Sequence, residues 1–346
     1  MNIVVTGATG HIGNVLVREL LAAGEKVRAL VPPFENDLPI RGLDVDIVAA
    51  DVCDTASLNS AFQGADSVYH LAGIIAITPG KEELLQRVNV QGTRNVVDAC
   101  LEAGVGRLVY TSSIHAIQEP PEGIVINETF PVDPDHVLGP YARSKAKATL
   151  EVRKGMERGL NAVIVHPTGV IGPFDFRISE MGQLMLDFIR GKLRGYLDGA
   201  YDFADVRDVA HGLTLACSKG RTGESYILSG ERVSIKQIME VLEETSGVMA
   251  PKFKVPAWLA RTAGKLAPIY YRIIKSKPLF TDYSVDVLRS NSRVTSEKAR
   301  VELGYKPRSV HESICDSVAW FMQNLTPAQL APAVRRVYSA DEVTDR

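Results

Sequence analysis

The 346-residue sequence predicts an α/β protein with a doubly wound parallel sheet and a smaller, mixed C-terminal lobe. Three observations lead to this prediction. Short apolar runs alternate with segments of helical spacing through the first half of the chain. A glycine-rich turn separates the first apolar run from the first helical segment, and the alternation breaks down after about residue 172. Strands separated by helices favour a parallel sheet with helices on both faces.

The strands are predicted from apolar, β-branched runs that stop at glycine, proline or polar residues. In chain order these runs are NIVVTG, EKVRALV, VDIVAAD, DSVYHLAG, RLVYTSS and NAVIVHPTG. Pro32 and Pro33 stop the second of them. A further run, ESYILSG, is an isolated strand candidate later in the chain.

The helices are predicted from apolar residues spaced three and four apart, with glycine at the C-terminal end. The segments are NVLVRELLAAG, EELLQRVNVQGTRNVVDACLEAG, YARSKAKATLEVRKGMERG and SIKQIMEVLEETSG. The last segment starts with a serine suited to be an N-cap. DVRDVAHG is also expected to be a capped helix, with Asp205 or Asp208 serving its N-terminus.

Composition excludes several classes of protein. With 39 basic and 41 acidic residues the net charge is −2, so we predict no nucleic-acid partner. The four cysteines lie far apart without a CxxC pair, which favours a reduced, cytoplasmic chain, and we predict no metal site. The N-terminus has no signal-peptide pattern, and no window offers 18 uncharged apolar residues for a membrane span.

The glycine-rich turn TGATGHIG places Gly7, Gly10 and Gly13 in a GxxGxxG pattern between a strand and a helix. The first glycine permits a tight turn, the second lets backbone approach a pyrophosphate, and the third lets the helix pack on the strand. The helix N-terminus adds N–H groups and partial positive charge for phosphates. Glycines that merely end a strand are the alternative, but at the start of a βαβ pattern the turn predicts dinucleotide binding.

The glycine turn and the alternation of strands and helices together predict the domain organisation. Residues 1–172 are expected to form a Rossmann-type dinucleotide-binding domain, with returns from about 201–230. Residues 173–325 are expected to form a substrate-binding lobe, and residues 326–346 a tail.

The choice between NAD and NADP stays open in the sequence. An acidic residue at the end of the second strand binds the ribose 2′-hydroxyl, and an arginine accommodates a 2′-phosphate. Residues 30–32 are Leu, Val and Pro and give neither signal, whereas Arg28 lies within the strand and Glu35 and Asp37 come late.

Asp51 ends the third strand and is a candidate for contact with the adenine amino group. Its alternative role is that of a turn or helix-cap residue, which Asp54 would serve equally well.

The segment GPYARSK places Tyr141 and Lys145 one helical turn apart on one face. A nearby cation favours a phenolate, so the lysine would lower the tyrosine pKa and let the tyrosine act as general acid or base. Ser112 and Ser113, at the end of the fifth strand, offer a hydroxyl to polarise a substrate oxygen. The alternative is a solvated helix face and a serine helix cap.

Taken together, these segments resemble the extended short-chain dehydrogenase/reductases, the NAD-dependent epimerase/dehydratase superfamily, over nearly the whole chain. The matching motifs are TGATGHIG, DV at 51–52, HLAG, VNVQGTRNV, YTSS, YARSK and HPTGVIGP. The resemblance implies catalysis by Ser113, Tyr141 and Lys145, with Ser113 preferred over Ser112. It implies an NAD or NADP site formed by Gly7, Thr9, Gly10, His11, Ile12, Gly13, Asp51, Val52, Leu71, Ala72, Gly73, Tyr141, Lys145, Pro167 and Val170.

Asn89 resembles the family's asparagine on the fourth helix, for which we expect a structural role. The family also implies a small-molecule substrate and a homodimer formed through helices around 82–103 and 141–158.

Two downstream segments, YDFADVRDVAHGL and SEKARVELGYKPRSVHESICDSVAWF, look like dihydroflavonol-reductase-like and 3β-hydroxysteroid-dehydrogenase-like members. This branch implies interconversion of a secondary alcohol and a ketone on an apolar substrate. The alternatives are a nucleotide-sugar epimerase or dehydratase with bound NAD, and a non-catalytic dinucleotide-sensing protein.

Residues 251–280 carry seven basic residues, no acidic residue and many large apolar side chains, among them Trp258. A basic amphipathic stretch suits either contact with an anionic membrane surface or packing over an apolar substrate with its lysines in water. We favour packing on the substrate lobe, as a lid.

Overall fold

The computed structural model describes residues 1–76, 80–256 and 290–325, and in these ranges the predicted fold class is confirmed. The strands are β1 Asn2–Thr6, β2 Lys26–Val31, β3 Asp46–Ala49, β4 Ser67–His70, β5 Arg107–Thr111, β6 Ala162–Pro167, β7 Gly169–Ile171, β8 Tyr196–Leu197, β9 Ala200–Asp205, β10 Ser225–Leu228, β11 Glu231–Ser234 and β12 Lys254–Val255.

The helices alternate with the strands along the first half of the chain, as the spacing predicts. They are α1 His11–Ala22, α2 Thr55–Ala61, α3 Glu82–Leu85, α4 Gly92–Glu102, α5 Gly139–Glu157, α6 Glu180–Ile189, α7 Val206–Lys219, α8 Ile235–Ser246, α9 Glu297–Leu303 and α10 Val310–Asn324. A π-helical segment, Gln86–Gln91, joins α3 to α4.

The main sheet has seven parallel strands in the order β10-β6-β5-β4-β1-β2-β3. The chain moves outward in one direction from β1 to β3 and in the other from β4 onward. The strand order therefore reverses between β1 and β4, and ligands of such sheets bind at the carboxyl ends of the strands beside that point. These ends are Thr6 and His70.

The sheet explains why its strands read as continuous apolar runs. Helices cover both faces, so every residue of β4 and β6 is buried. By contrast β3 lies at the edge and is largely exposed. The segment ESYILSG, a strand candidate that stands alone in the sequence, forms β10, which pairs in parallel with β6 as the other edge strand. That pairing joins residues about 60 apart, which local sequence does not encode.

The second lobe is built on a small mixed sheet, in which β9 pairs in parallel with β7 and antiparallel with β11. Asp205 caps α7 by accepting the Arg207 N–H at 2.8 Å, which confirms the capped-helix hypothesis. Ser234 forms a capping box with Gln237, and Gly247 ends α8 in the left-handed conformation (φ 69°). The predicted caps of α8 are therefore confirmed.

The structure leaves several of the predictions untested. Residues 257–280 of the basic stretch, including Trp258, lie outside the described residues, as does the tail 326–346. The lid, the membrane contact, the homodimer and the domain boundaries stay predictions. Across the described part of the chain, we find no helix of the length and apolar character needed to cross a bilayer.

Candidate active site

The glycine turn after β1 has the tight geometry that its sequence predicts. Gly7 has φ 70°, and a Cβ there would lie 2.6 Å from the backbone nitrogen of Ala72. A Cβ on Gly13 would lie 2.1 Å from the carbonyl oxygen of Gly7. Any larger residue at either position forces backbone apart, so these glycines hold α1 tightly against the ends of β1 and β4.

Helix α1 presents its N-terminus to the sheet edge. Gly10 is its N-cap, and having no side chain it leaves the first N–H groups of the helix uncapped. A Cβ on Gly10 would meet the Gly7 carbonyl oxygen at 3.2 Å, with no other heavy atom of the described structure within 4 Å. A concave backbone surface with helix-terminal N–H groups fits a pyrophosphate, so the turn fits a dinucleotide.

Two matched substitutions separate packing from phosphate approach. We expect Gly13→Ala to destabilise the protein by about 1–3 kcal/mol or more, because the new methyl group overlaps the Gly7 carbonyl. We expect Gly10→Ala to fold normally but to bind NADH and NADPH more weakly. Thermal melts and nicotinamide-fluorescence titrations of both variants check this. Equal melting temperatures for the two variants would contradict the packing role of Gly13.

Behind the turn, a buried hydrogen-bonded chain links β1, β4 and α4. Thr93 donates to the Asn89 carbonyl oxygen at 2.6 Å, so it accepts from His70 Nε2 at 3.0 Å. His70 Nδ1 then accepts from the Thr6 hydroxyl at 2.7 Å, and Thr6 accepts the Ala72 N–H at 3.2 Å. Burial lowers the pKa of His70 to about 3. A neutral histidine therefore fixes the sheet edge below the turn.

Ser113, Tyr141 and Lys145 come together above this edge. Ser113 ends the loop after β5, and its Oγ accepts the His115 N–H at 3.3 Å. Its hydroxyl lies close enough to the Tyr141 phenol to lower the pKa of that phenol. Ser112 points elsewhere, to the Thr149 hydroxyl at 2.7 Å. The structure thus brings Ser113, and not Ser112, to the tyrosine.

Lys145 is buried in the same cleft, with its Nζ donating to the Thr111 carbonyl oxygen at 2.7 Å and lying 4.8 Å from the Tyr110 ring centroid. Burial lowers the pKa of this lysine to about 7. Since a lysine with that pKa carries only part of its charge at neutral pH, it is a weaker cation than the sequence suggests.

The expected lowering of the Tyr141 pKa is wrong for this structure. Burial raises the pKa of Tyr141, and the nearby Ser113 hydroxyl only partly opposes that shift. The Lys145 ammonium is directed at a backbone carbonyl, and its own charge is reduced by burial. Tyr141 is therefore a protonated phenol at neutral pH.

A cleft of about 730 Å³ connects the glycine turn with these three side chains. Most of the predicted site residues line it: Gly7, Gly10, His11, Ile12, Gly13, Leu71, Gly73, Ser113, Tyr141, Lys145, Pro167 and Val170. Its far wall is mainly apolar and comes from the second lobe: Met181, Leu184, Leu197, Phe203, Ile235 and Met239. One end of the cleft thus suits a dinucleotide and the other an apolar molecule.

Four predicted cofactor residues do not line this cleft. Asp51 accepts the Cys53 N–H at 2.9 Å as a turn residue, while Asp54 caps α2. Val52 is buried, and its carbonyl oxygen accepts from Asn95 Nδ2 at 2.9 Å. Ala72 supports the turn through Thr6, and Thr9 hydrogen-bonds to Glu35. Contact of these four residues with a cofactor stays a prediction.

Asn89 lies in the π-helical segment, a distortion often found at functional sites. Its side chain accepts the Ile74 N–H at 2.9 Å and donates to the Ile74 carbonyl oxygen at 3.0 Å. It also donates to the Ser144 hydroxyl at 2.9 Å. These contacts tie the loop after β4 to α5, beside Tyr141, in line with the structural role expected from sequence.

Sequence reasoning missed a histidine and a tyrosine that line the cleft. His115 Nε2 lies 3.0 Å from the Tyr201 hydroxyl, and the two rings stack with centroids 5.9 Å apart. The His115 ring also meets the Tyr141 ring edge-on at 6.4 Å. Burial lowers the pKa of His115 to about 4, so the ring is neutral. His115 follows Ser113 by two residues, a signal available in the sequence, whereas Tyr201 arrives only through the fold of β9.

Within the described residues, no three histidine, cysteine or acidic side chains are grouped to hold a metal ion. The site consists of a glycine turn, a hydroxyl, a phenol and a buried amine.

Comparisons with known proteins agree with this geometry. Residues 3–229 match the model of the NAD dependent epimerase/dehydratase family. Sterol demethylase protein B of Methylococcus capsulatus is 39% identical over 325 residues, which cover 93% of this chain and 99% of that protein. The 3β-hydroxysteroid-dehydrogenase/decarboxylase isoform 1 of Arabidopsis thaliana is 31% identical, covering 88% and 75% of the two chains.

Among solved structures, gox2253 superposes with a TM-score of 0.81 at 32% identity, covering 93% of this chain and 98% of that chain. The family match spans the whole main sheet, from β1 to β10. The chain therefore belongs to the NAD-dependent epimerase/dehydratase family, the extended short-chain dehydrogenase/reductases, and is an NAD(P)-dependent oxidoreductase.

Proposed function

We propose that this enzyme interconverts a secondary alcohol and a ketone on an apolar, polycyclic substrate. One observation carries the proposal: Ser113, Tyr141 and Lys145 face the glycine turn in a single cleft whose other wall is mainly apolar. Reaction centre, cofactor cradle and apolar surface are thus continuous.

Tyr141 transfers the proton to or from the substrate oxygen. Since burial raises its pKa, the phenol is protonated at neutral pH and serves as the general acid for ketone reduction. In the reverse direction the same oxygen, once deprotonated, is the general base for alcohol oxidation. A bound nicotinamide supplies or accepts the hydride.

Ser113 steadies the reacting oxygen. Its Oγ accepts the His115 N–H, and its own O–H remains available to donate on the side of Tyr141. A fixed donor placed beside the proton source stabilises negative charge that develops on the substrate oxygen.

Lys145 and the glycine turn would hold the dinucleotide. The turn offers backbone N–H groups to phosphate, and Lys145 lies on the same wall as Tyr141 within the cleft. A bound anionic dinucleotide would favour the charged form of the lysine.

The apolar wall supports the choice of substrate class. Most of its residues are nearly fully buried, and they offer a concave apolar surface beyond the reacting groups. Relatives of this chain are named for sterol demethylation and for 3β-hydroxysteroid oxidation. Both names denote polycyclic substrates, which such a surface suits.

The alternative enzymatic function is that of a nucleotide-sugar epimerase. Such an enzyme needs cations for a sugar diphosphate, and Arg177, the arginine among the described lining residues of the cleft, is paired with Glu35. NAD retained through purification would favour the epimerase. The non-catalytic sensing hypothesis loses its basis, because the chain belongs to a family of enzymes.

A series of ketones tests the proposal. We expect kcat/KM to rise by about 10²-fold or more from cyclohexanone to a 3-ketosteroid, since each buried methylene contributes about 0.8 kcal/mol. The reverse assay uses 3β-hydroxysterols with and without a 4-carboxyl group, with UDP-glucose as the control substrate. Turnover of UDP-glucose, or a flat response to substrate size, would overturn the assignment.

A further inference from the structure

A cluster outside the catalytic group lies beside the glycine turn, and Arg177 is the member of it that lines the cleft. Glu35, Thr9 and Arg177 form a closed set of hydrogen bonds. The Thr9 hydroxyl donates to Glu35 Oε2 at 2.8 Å and accepts from Arg177 Nη2 at 2.5 Å. The same Arg177 nitrogen pairs with Glu35 Oε2, and Arg177 Nη1 reaches Oε1 at 3.4 Å. The three residues come from the loop after β2, the glycine turn and the second lobe.

A proline turn carries Glu35 to this position. The Glu35 N–H bonds back to the Pro32 carbonyl oxygen at 2.9 Å, with Pro33 at the turn position that proline favours. The turn folds the chain back at the end of β2, so an acid four residues past the strand meets the glycine turn. In a dinucleotide-binding sheet this is the place of the adenosine ribose.

Arg177 reaches the cluster from a firmly anchored loop. His11 Nε2 bonds to the Pro173 carbonyl oxygen at 2.9 Å, and Asp175 accepts the Ser179 N–H at 2.8 Å and its hydroxyl at 2.7 Å. The loop between these anchors contains two non-glycine residues with positive φ, Phe174 (66°) and Ile178 (50°). Such backbone persists only where surrounding contacts impose it, and here it directs Arg177 across the mouth of the cleft.

We propose that Glu35 makes this enzyme selective for NAD(H) over NADP(H), and that Arg177 holds the Glu35 carboxylate in place. The inference rests on the proposed dinucleotide site but not on the proposed substrate. A ribose 2′,3′-diol donates to a carboxylate, and Oε1 is the less firmly held oxygen of Glu35. A 2′-phosphate at the same place would lie against the Glu35 carboxylate, and the two negative charges would repel each other.

Charge decides between the two cofactors. Although partial burial opposes it, the hydrogen bonds from Arg177 and Thr9 lower the pKa of Glu35, so the carboxylate is ionised at neutral pH. Arg177 neutralises Glu35 but is committed to it. Like charges brought together at a binding surface weaken binding strongly. We therefore expect wild-type protein to bind NADH about tenfold or more tightly than NADPH.

The test is a pair of titrations of purified full-length protein with NADH and NADPH, followed by nicotinamide fluorescence. In Glu35→Gln we expect the Kd for NADPH to fall about tenfold or more, because Arg177 and Thr9 are released to bind phosphate. The Kd for NADH should rise a few-fold. Adding Arg177→Gln to this variant should reverse the gain in NADPH binding.

Asp37→Asn is the matched control, because Asp37 lies on the same loop but pairs with Arg41. It should leave the ratio of the two dissociation constants unchanged. The inference is overturned if wild-type protein prefers NADPH, or if Glu35→Gln changes the ratio no more than Asp37→Asn does. Binding of neither nucleotide overturns the dinucleotide site as well. A preference for NADH in a protein that turns over none of the proposed ketones upholds this inference while refuting the proposed substrate chemistry.

Discussion

Replacing Tyr141 with phenylalanine is expected to lower kcat by about 10²- to 10⁴-fold, the usual contribution of a positioned general acid. The phenylalanine ring keeps the volume of the tyrosine and its edge-on contact with His115, so the fold and the cleft should survive. Dissociation constants for NADH and NADPH should change little. Steady-state kinetics in both directions, together with nucleotide titrations, measure the two effects separately.

The pH dependence of the wild-type enzyme gives an independent readout of Tyr141. Because burial raises its pKa, loss of the Tyr141 proton should slow ketone reduction only in the alkaline range, well above the pH near 7 at which Lys145 loses its charge. Alcohol oxidation requires the deprotonated phenol, so its rate should increase as pH rises. Both trends should vanish in Tyr141→Phe.

Tyr226→Phe is the matched control, since it removes a phenol that bonds to Glu302 and does not line the cleft. It should keep its activity. If Tyr141→Phe were as active as this control, Tyr141 would not be the proton donor.

Local sequence predicts much of the fold because the inner strands of the main sheet, such as β4 and β6, are buried on both faces. Continuous apolar runs such as NIVVTG and NAVIVHPTG leave one plausible structure, a buried parallel strand. The glycine turn was predictable for a similar reason, because a positive φ at Gly7 and a close backbone approach at Gly13 admit no other residue.

The parts that sequence reasoning missed depend on contacts between distant segments. Glu35 reaches the glycine turn through a proline turn, and Arg177 joins it across 142 residues of chain. Tyr201 meets His115 only because β9 crosses beside the cleft. The direction of the Tyr141 pKa shift was missed because spacing along a helix shows which charges are near but not how deeply they are buried.

Replacing Lys145 with methionine is expected to make the protein more stable and nearly inactive. The lysine is nearly fully buried, and burial lowers its pKa from an ordinary 10.5 to about 7. That difference corresponds to an upper limit of about 5 kcal/mol of destabilisation of the folded protein. After the lost hydrogen bond to Thr111 is counted, we expect a net stabilisation of about 1–3 kcal/mol.

The catalytic activity of Lys145→Met should decrease. Removing a cation placed beside the reacting groups should lower kcat/KM by about 10²- to 10³-fold. Lys147→Met is the matched control, because Lys147 is exposed on the same helix two residues away. It should change the free energy of unfolding by no more than about 0.5 kcal/mol.

The pH dependence of this stability difference distinguishes a buried charge from better packing. Below pH 7 both folded and unfolded Lys145 carry a proton, so the folded protein bears the whole cost of burying the charge. Between pH 7 and about 10.5 only the unfolded chain keeps its proton, and the cost falls to zero. The advantage of Lys145→Met, measured by denaturant unfolding, should therefore be larger at pH 6 than at pH 9. An advantage that is constant with pH would mean that the methionine merely packs better. A variant less stable than wild type would mean that Lys145 stabilises the fold. The buried charge would then not lower the stability of the folded protein.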